Sequence, residues 1–195
     1  MGQTERRQGP LLQGPRVLLR LGGSKDALAI LEFFLENREH FKRTDPPRPA
    51  QFYTEGYWTE RVVASALDYR EDRSCHLFIF ARSAPKTVIG YANLSSFVRG
   101  AFHACYLGYG LGAAHEGKGL MTEALELVIR LGFDELRLHR IMANYLPTNE
   151  RSGRVLDKLG FTREGYARNY LFINGGWRDH ILTALTNDRW EPPEK

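Results

Sequence analysis

An α+β fold is predicted, a single domain with a mixed, mainly antiparallel sheet flanked by helices, and three observations carry it. Two helix-periodic stretches precede most of the strands; three apolar runs then follow each other across short turns; from there helices and strands alternate to a closing hairpin. The predicted order is β-αα-βββ-α-β-α-ββ, one domain over residues 1–195 with its core between about residues 16 and 187 and short polar tails.

Arg16 to Leu21 (RVLLRL) alternates loosely after Gly14-Pro15 and reads as the opening strand. Ser24 can cap a helix in which Ala27, Leu28, Leu31, Phe34 and Leu35 fall at helical spacing. That helix must stop before TDPPRPAQ, where Pro46, Pro47 and Pro49 force a surface loop. Thr54 opens a second helix through Tyr57, Arg61, Ala64, Ser65 and Leu67, ending in YREDR. CHLFIFAR, TVIGYANLSSFV and AFHACYLGYGL are three strands of a meander, turned at Ser83 to Lys86 and at Arg99-Gly100. A helix from Leu120 to Phe133, a strand RIMANYL, a helix from Asn149 to Leu159 and the strands YARNYLFIN and WRDHILTAL, joined at Gly175-Gly176, complete the chain. No repeat or linker interrupts this order.

Composition narrows the function classes. The 195 residues are 43% hydrophobic and 26% charged, enough for one sizeable core. The net charge of +4 is spread without a basic block, so a DNA partner is not expected and an anionic small ligand accounts for the bias equally well. Cys75 and Cys105 sit in apolar or aromatic runs and read as small buried residues. With no CxxC and no His/Cys spacing of the ligand kind, no metal and a reducing compartment are expected. The stretch MGQTERRQGP lacks the apolar segment of a signal peptide, Arg6 stands where a myristoylation signal needs Ser or Thr, and no apolar run has membrane-spanning length. A cytoplasmic protein without a membrane partner is the expectation.

The most informative stretch is GAAHEGKGLMTEAL, Gly112 to Leu125. Gly112, four residues, then Gly117-Lys118 satisfies most of a Walker A loop, but the position that must offer a hydroxyl to magnesium is Gly119. The repeated parallel βαβ pattern of such enzymes is missing too. What remains is a strand running into a helix whose first-turn N–H groups converge, with the helix dipole adding positive charge. Gly117 and Gly119 leave that backbone open, so a diphosphate can sit there without metal; a tight turn needing glycine only for its dihedrals is the plainer alternative. Just before it, Gly108, Gly110 and Gly112 alternate in GYGLG, which weakens a strand and marks a bulge or a close ligand approach. A splayed strand can pair with an amide-bearing arm as if with another strand. Diphosphate and amide-bearing arm together describe coenzyme A.

LGYGLGAAHEGKGLMTEAL resembles motif A of the GNAT superfamily of acyl-CoA-dependent N-acyltransferases, Gln/Arg-x-x-Gly-x-Gly/Ala, and the resemblance extends over almost the whole element order. Gly117 and Gly119 match, while Ala114 stands at the Gln/Arg position and removes a side-chain contact. VRGAFHACYLGYGLG, HRIMANYLPTNERSGRVLDKLGF and WRDHILTAL are similar to the RimJ type, the ribosomal-protein-alanine N-acetyltransferases. The resemblance implies acetyl-CoA as co-substrate and the α-amino group of a protein N-terminus, that of a ribosomal protein's alanine, as acceptor, with ribosome contact possible. It also implies cofactor contacts from the backbone around Tyr109, Leu111, Glu116, Gly117, Lys118, Gly119 and Leu120, an oxyanion donor among the N–H groups of Tyr109 to Leu111, and a touch of Asn149 on the pantetheine arm.

Many GNAT enzymes protonate the departing thiolate with a tyrosine four residues before the closing Gly-Phe; here that seat holds Leu156, which has no proton to give. Ser152, one helical turn earlier, faces the same way and takes the role by resemblance, against the alternative that it bonds to backbone in the first turn. Asn149 also suits a helix cap, and Arg151 or Arg154 can pair with a ribose phosphate or with solvent. Asp45 in the proline-rich loop is a candidate for meeting the amine or relaying its proton, or else a loop cap. The six histidines read as structural, with His115 bordering the turn. The acceptor is expected between Asp45 to Tyr57 and the hairpin Tyr170 to Trp177. A small-molecule amine as acceptor, or a ribosome-assembly module contacting RNA, are the competing functions.

Overall fold

The computed structural model describes residues 9–192; the stretch read above for a signal peptide, with Arg6, lies outside them up to residue 8. The sheet has eight strands: β1 (Leu11–Gln13), β2 (Val17–Leu21), β3 (Cys75–Ala81), β4 (Ala84–Val98), β5 (Ala104–Leu111), β6 (Arg140–Tyr145), β7 (Thr162–Ile173) and β8 (Gly176–Thr186). Their order is β1-β2-β3-β4-β5-β6-β8-β7, antiparallel except between β5 and β6. The helices are α1 (Ala27–Glu36), a short α2 (Arg38–Phe41), α3 (Glu55–Arg70), α4 (Leu120–Arg130) and α5 (Glu150–Lys158). The expected α+β order holds, with corrections at its edges.

The fold begins before residue 16. Strand β1 pairs with β2, and Gly14 N donates to Val17 O at 2.9 Å to close the turn between them. Three residues are too few to show an alternation, so this strand had no periodic signal. Ser24 does not cap α1: it begins a 3₁₀ turn, Ser24–Asp26, and the Asp26 carboxylate accepts from Gly23 N at 2.8 Å and from the Arg20 guanidinium at 2.5 and 2.8 Å. Thr54 does cap α3, its Oγ1 accepting from Tyr57 N at 3.3 Å. The first meander turn is tighter than expected, β4 beginning at Ala84 paired with Ala81, and the second is longer, β4 ending at Val98 and β5 beginning only at Ala104. The helix expected from Leu120 to Phe133 stays α-helical to Arg130 and widens into a π turn, Leu131–Glu135.

The sheet is covered on both faces. Helices α4 and α5 close one face over a core that includes Leu77, Ile79, Leu94, Leu107, Leu125 and Ile141. Helices α1 and α3 close the other over an aromatic core of Phe33, Phe34, Phe52, Trp58, Phe78 and Tyr91. Alternation along each strand separates the two sets. Cys75 and Cys105 are fully buried in the first core, and burial pushes the Cys105 thiol up to about 12. Both are inert small core residues, as their apolar neighbours in sequence indicate.

The feature that positions the site is a split in the sheet. Strands β5 and β6 pair only at Ala104↔Arg140, Cys105↔Ile141 and Tyr106↔Met142, whereas β5 stays paired with β4 as far as Leu111. Gly112 N donates to Ile89 O at 2.9 Å. By the alternation of an antiparallel ladder, the amides of Gly110 and Gly108 then also face β4, and those of Tyr109 and Leu111 face the opened edge.

Candidate active site

Beyond the split, the chain turns into α4 through Gly117 (φ +73°) and Gly119 (φ +75°), both in the left-handed region that other residues enter at a cost. Gly119 heads α4 and has no side chain with which to cap it, so the first-turn N–H groups above Leu120 are not occupied by a cap. A Cβ on Gly117 would meet nothing within 4 Å, so the turn opens onto free space. Converging amides, a helix of 11 residues behind them and open space in front fit a diphosphate. Among the described residues no cluster of three or more His, Cys, Asp or Glu could hold a metal ion.

The side chains around the turn hold its shape. Lys118 Nζ donates to Ala114 O at 2.7 Å, so its ammonium is spent within the loop. Glu116 pairs with Arg151 and lies 3.5 Å from His40 Nε2, while Arg154 bonds Glu150 at 3.2 Å; both arginines offered above as phosphate partners already face a carboxylate. Glu123, in the first turn of α4, accepts from Arg16 N and Arg16 Nε, each at 2.7 Å, and from Val17 N at 3.2 Å. Arg16 also donates to Lys118 O at 2.8 Å. Burial opposes the Glu123 charge, but these bonds outweigh it and lower its carboxyl below the usual range. Asn37, just past α1, accepts from Ala113 N at 3.0 Å, and a Cβ on Gly112 would lie 3.2 Å from it. Gly112 is therefore small for packing, with φ an ordinary −60°.

On the α5 side of the split, Asn149 caps the helix through Oδ1, accepting from Ser152 N at 3.2 Å. Ser152 Oγ lies 2.6 Å from the Tyr109 hydroxyl, so a strand residue at the opened edge and a helix residue form one hydroxyl pair. Burial pushes the Tyr109 phenol up to about 12, against the pull of the Ser152 bond and aided by Tyr145. Tyr145 packs so near α5 that a Cβ on Gly153 would fall 3.0 Å from its hydroxyl, which is why that position is glycine.

Asp45 lies on the opposite face. Its Oδ2 accepts from the buried Tyr91 hydroxyl at 3.0 Å and it pairs with Arg48. Tyr91 faces Gly110 across the β4–β5 ladder, and a Cβ on Gly110 would meet the Tyr91 ring at 2.7 Å. Asp45 thus reaches the split strand through Tyr91 and touches neither Ser152 nor Tyr109. A cavity of about 250 Å³ joins Asp45, Pro46, Pro47 and Tyr53 to Asn174 and Gly175, so the proline-rich loop and the closing hairpin share one opening.

Sequence reasoning placed Tyr109 at the site for its backbone and missed its hydroxyl. The signal was there: Tyr109 is the one large residue of GYG and alternates away from the flanking glycines, toward the face where α5 begins. Glu123, Arg16 and Asn37 had no such signal, because their partners lie 76 to 107 residues away in the chain.

Residues 16–162 match the family model described as an acetyltransferase (GNAT) domain. The chain is 44% identical over 177 residues to the ribosomal protein uS5-alanine N-acetyltransferase of Escherichia coli (strain K12), which covers 91% of each. It is similar in structure to the ribosomal-protein-S5-alanine acetyltransferase from Vibrio fischeri, with a TM-score of 0.90 at 37% identity over 94% of this chain and 100% of that one. Mycobacterium smegmatis RimJ in complex with CoA-disulfide matches with a TM-score of 0.84 at 25% identity, over 100% of this chain and 93% of its own.

Proposed function

The chain belongs to the GNAT acetyltransferase family, acetyl-CoA-dependent enzymes, and from that premise we propose that it acetylates the α-amino group of an N-terminal alanine on a ribosomal protein in the cytoplasm. The observation that carries acyl transfer is the early end of β5–β6 pairing at Tyr106, with the Tyr109–Ser152 hydroxyl pair beside the freed edge. The acceptor class is supported by the activity named for the 44% identical relative and by the cavity between the loop and the hairpin.

When bound, acetyl-CoA supplies a thioester carbonyl that the neutral amine attacks and a sulfur that departs as the thiol. The backbone of Gly117, Gly119 and Leu120 holds the diphosphate, and Glu116 and Lys118 keep the turn in shape. The free edge at Tyr109 and Leu111 pairs with the amide-bearing arm, beside Asn149, and offers N–H groups to the oxyanion. Ser152 Oγ–H gives its proton to the sulfur as the C–S bond breaks and recovers one from Tyr109, which is reprotonated from water because burial keeps its phenol from ionising near neutral pH; the proton that the attacking nitrogen loses on forming the amide goes to solvent. An α-amino group has a pKa of about 7.7–8, so part of it is neutral at cytoplasmic pH; a lysine amine at about 10.4 would need a stronger base. Asp45, at the acceptor-side cavity, offers the carboxylate that meets the incoming ammonium.

Incubation with acetyl-CoA and an alanine-terminated uS5 protein tests this by intact mass and fragment spectra. One acetyl group on the N-terminal residue is expected, and none when that amine is blocked. Acetylation confined to lysines or to small free amines would overturn the assignment.

A further inference from the structure

Tyr106 and Tyr109 stand three residues apart on β5 and so project to opposite faces of the sheet at the split. Tyr109 and its partner Ser152 lie on the face that α4 and α5 close. Cys105, Leu107, Ile141 and Ala143 point into that same core, which puts Tyr106, Gly108 and Asn144 on the acceptor face. Tyr106 belongs to the last β5–β6 pair, opposite Met142. Gly108 and Asn144 are the next positions on that face, one on each side of the opening. A Cβ on Gly108 would meet nothing within 4 Å, so the opening has a floor of backbone there and free space above it.

A third strand reaches over this floor. The β7–β8 register breaks between Ala167 and Leu171, where Asn169 has φ +50° and donates its N–H to Asp179 Oδ1 at 2.8 Å. An irregularity of this kind re-aims the side chains it carries. Here it sends Tyr170 across β8, and the Tyr170 hydroxyl accepts from Asn144 Nδ2 at 2.9 Å. The Tyr170 ring packs on buried His180, with centroids 5.3 Å apart. Burial raises the Tyr170 phenol above its ordinary range, and Tyr106, which takes its hydrogen bond, raises it further. Tyr106 is 40% exposed, so the row that starts at Asn144 ends at solvent.

Resting on the acyl-transfer reading above, we propose that Tyr106 and Tyr170 seat the attacking nitrogen of the acceptor, with Asn144 positioning Tyr170, and that Tyr106 passes the nitrogen's proton to solvent. Asn144 donates to Tyr170, Tyr170 to Tyr106 and Tyr106 to water, so each phenol oxygen keeps a lone pair for an N–H of the amine. The nitrogen's own lone pair stays free for the carbonyl. As the C–N bond forms and the nitrogen turns positive, one N–H proton moves to the Tyr106 oxygen while the Tyr106 proton moves to water, and the phenol is unchanged at the end. Two uncharged phenols favour the neutral amine, since they do not offset the desolvation of a cation; the Asp45 carboxylate suits the ammonium that arrives.

The test sets acceptor kinetics against coenzyme A binding. Tyr106→Phe and Tyr170→Phe keep both rings and remove only the hydroxyls. Tyr170→Phe should lower kcat/KM for an alanine-terminated uS5 peptide by about threefold to tenfold, the worth of one neutral hydrogen bond. Tyr106→Phe should lower it by about 10²-fold, because a proton transfer is lost as well. The Kd of coenzyme A, read by calorimetry, should stay at the wild-type value in both. Asn144→Ala should cost nothing further in a Tyr170→Phe background, since it acts through that hydroxyl. An unchanged acceptor kcat/KM in either phenylalanine variant, a parallel loss of coenzyme A affinity, or additive losses for Asn144→Ala and Tyr170→Phe overturn the seat; Tyr106→Phe decides alone if the Tyr170 variant does not fold. Every variant is assayed on the amine that the wild type accepts. A wild type that acetylates small amines and no alanine-terminated peptide therefore overturns the acceptor assignment and not the seat.

Discussion

Ser152 and Tyr109 come from different elements, yet their hydroxyls are 2.6 Å apart, and in the proposed reaction this pair stands in for the tyrosine that the family resemblance leads one to look for at position 156, where this chain has leucine. Removing the proton donor with Ser152→Ala should lower kcat by about 10²-fold, since one positioned acid contributes on that order, while Tyr109→Phe should cost about tenfold because the serine keeps its own proton. Steady-state kinetics with the released thiol as readout decides this; equal rates for both variants and wild type would remove the pair from the mechanism. The pH profile follows from the same contact. Deprotonating Tyr109 would remove a donor, but burial holds its pKa up at about 12. The rate should therefore rise with the acceptor amine near pH 8 and stay level to about pH 10. A falling limb below that, absent in Tyr109→Phe, would show that the phenol ionises early. Gly117 supplies a different test. At φ +73° a side chain costs about 1–2 kcal/mol, and the added methyl would project into the space before the α4 amides. Gly117→Ala should raise KM for acetyl-CoA by about tenfold or more and leave a turnover that saturating acetyl-CoA largely restores.

At the scale of elements, the glycine turn stays in place because α4 is bolted to the start of β2. Glu123 binds two backbone amides and the Arg16 guanidinium, and Arg16 in turn holds Lys118 O. Glu123→Gln keeps the size and loses the charge, which should destabilise the fold by about 1.5–3 kcal/mol at pH 7, the range for hydrogen bonds to charged groups. The sign with pH follows from a carboxyl lowered in the folded state: its stabilisation is full above the unfolded value of about 4.3 and fades as the pH falls through the folded one. Urea midpoints of wild type and variant should therefore converge below about pH 4; a gap unchanged down to pH 3 would rule out the charge as its source. Sequence pattern recovered the elements that this clamp joins, since α4 shows Met121, Ala124, Leu125 and Val128 at helical spacing and all four are buried. It recovered the glycine turn and the alternating glycines of the split for the same reason, local geometry written in local residues. The clamp itself was not legible, because a glutamate in a first helical turn looks like dipole compensation until its partner 107 residues away is in view. Ser24 failed as a cap for a related reason, Asp26 having a second partner in Arg20 that favours it as the head of α1.

Across the whole molecule the split poses a structural problem: β1 to β5 and β6 to β8 meet through only three residue pairs, yet the site needs both halves held at a fixed separation. The packing answers it. One continuous core runs under the opening, with Leu107 from β5, Ile141 from β6, Leu125 from α4 and Leu156 from α5 in the same cluster. The two rows of backbone can part because the side chains beneath them do not. Apolar periodicity gave notice of each contributor singly; that they form a single cluster across a broken ladder is a property of the closed fold. Ile141 is the place to test it, fully buried and reaching Gly132, where a Cβ would meet its Cδ1 at 2.9 Å. Ile141→Ala should cost about 2–5 kcal/mol. If the core joins the halves, the variant unfolds in urea in one transition at a lower midpoint, with the slope of the wild type and with tryptophan fluorescence and far-ultraviolet circular dichroism coinciding. Two separated transitions would mean that the halves fold independently and that the three backbone pairs, rather than the core, set the width of the opening.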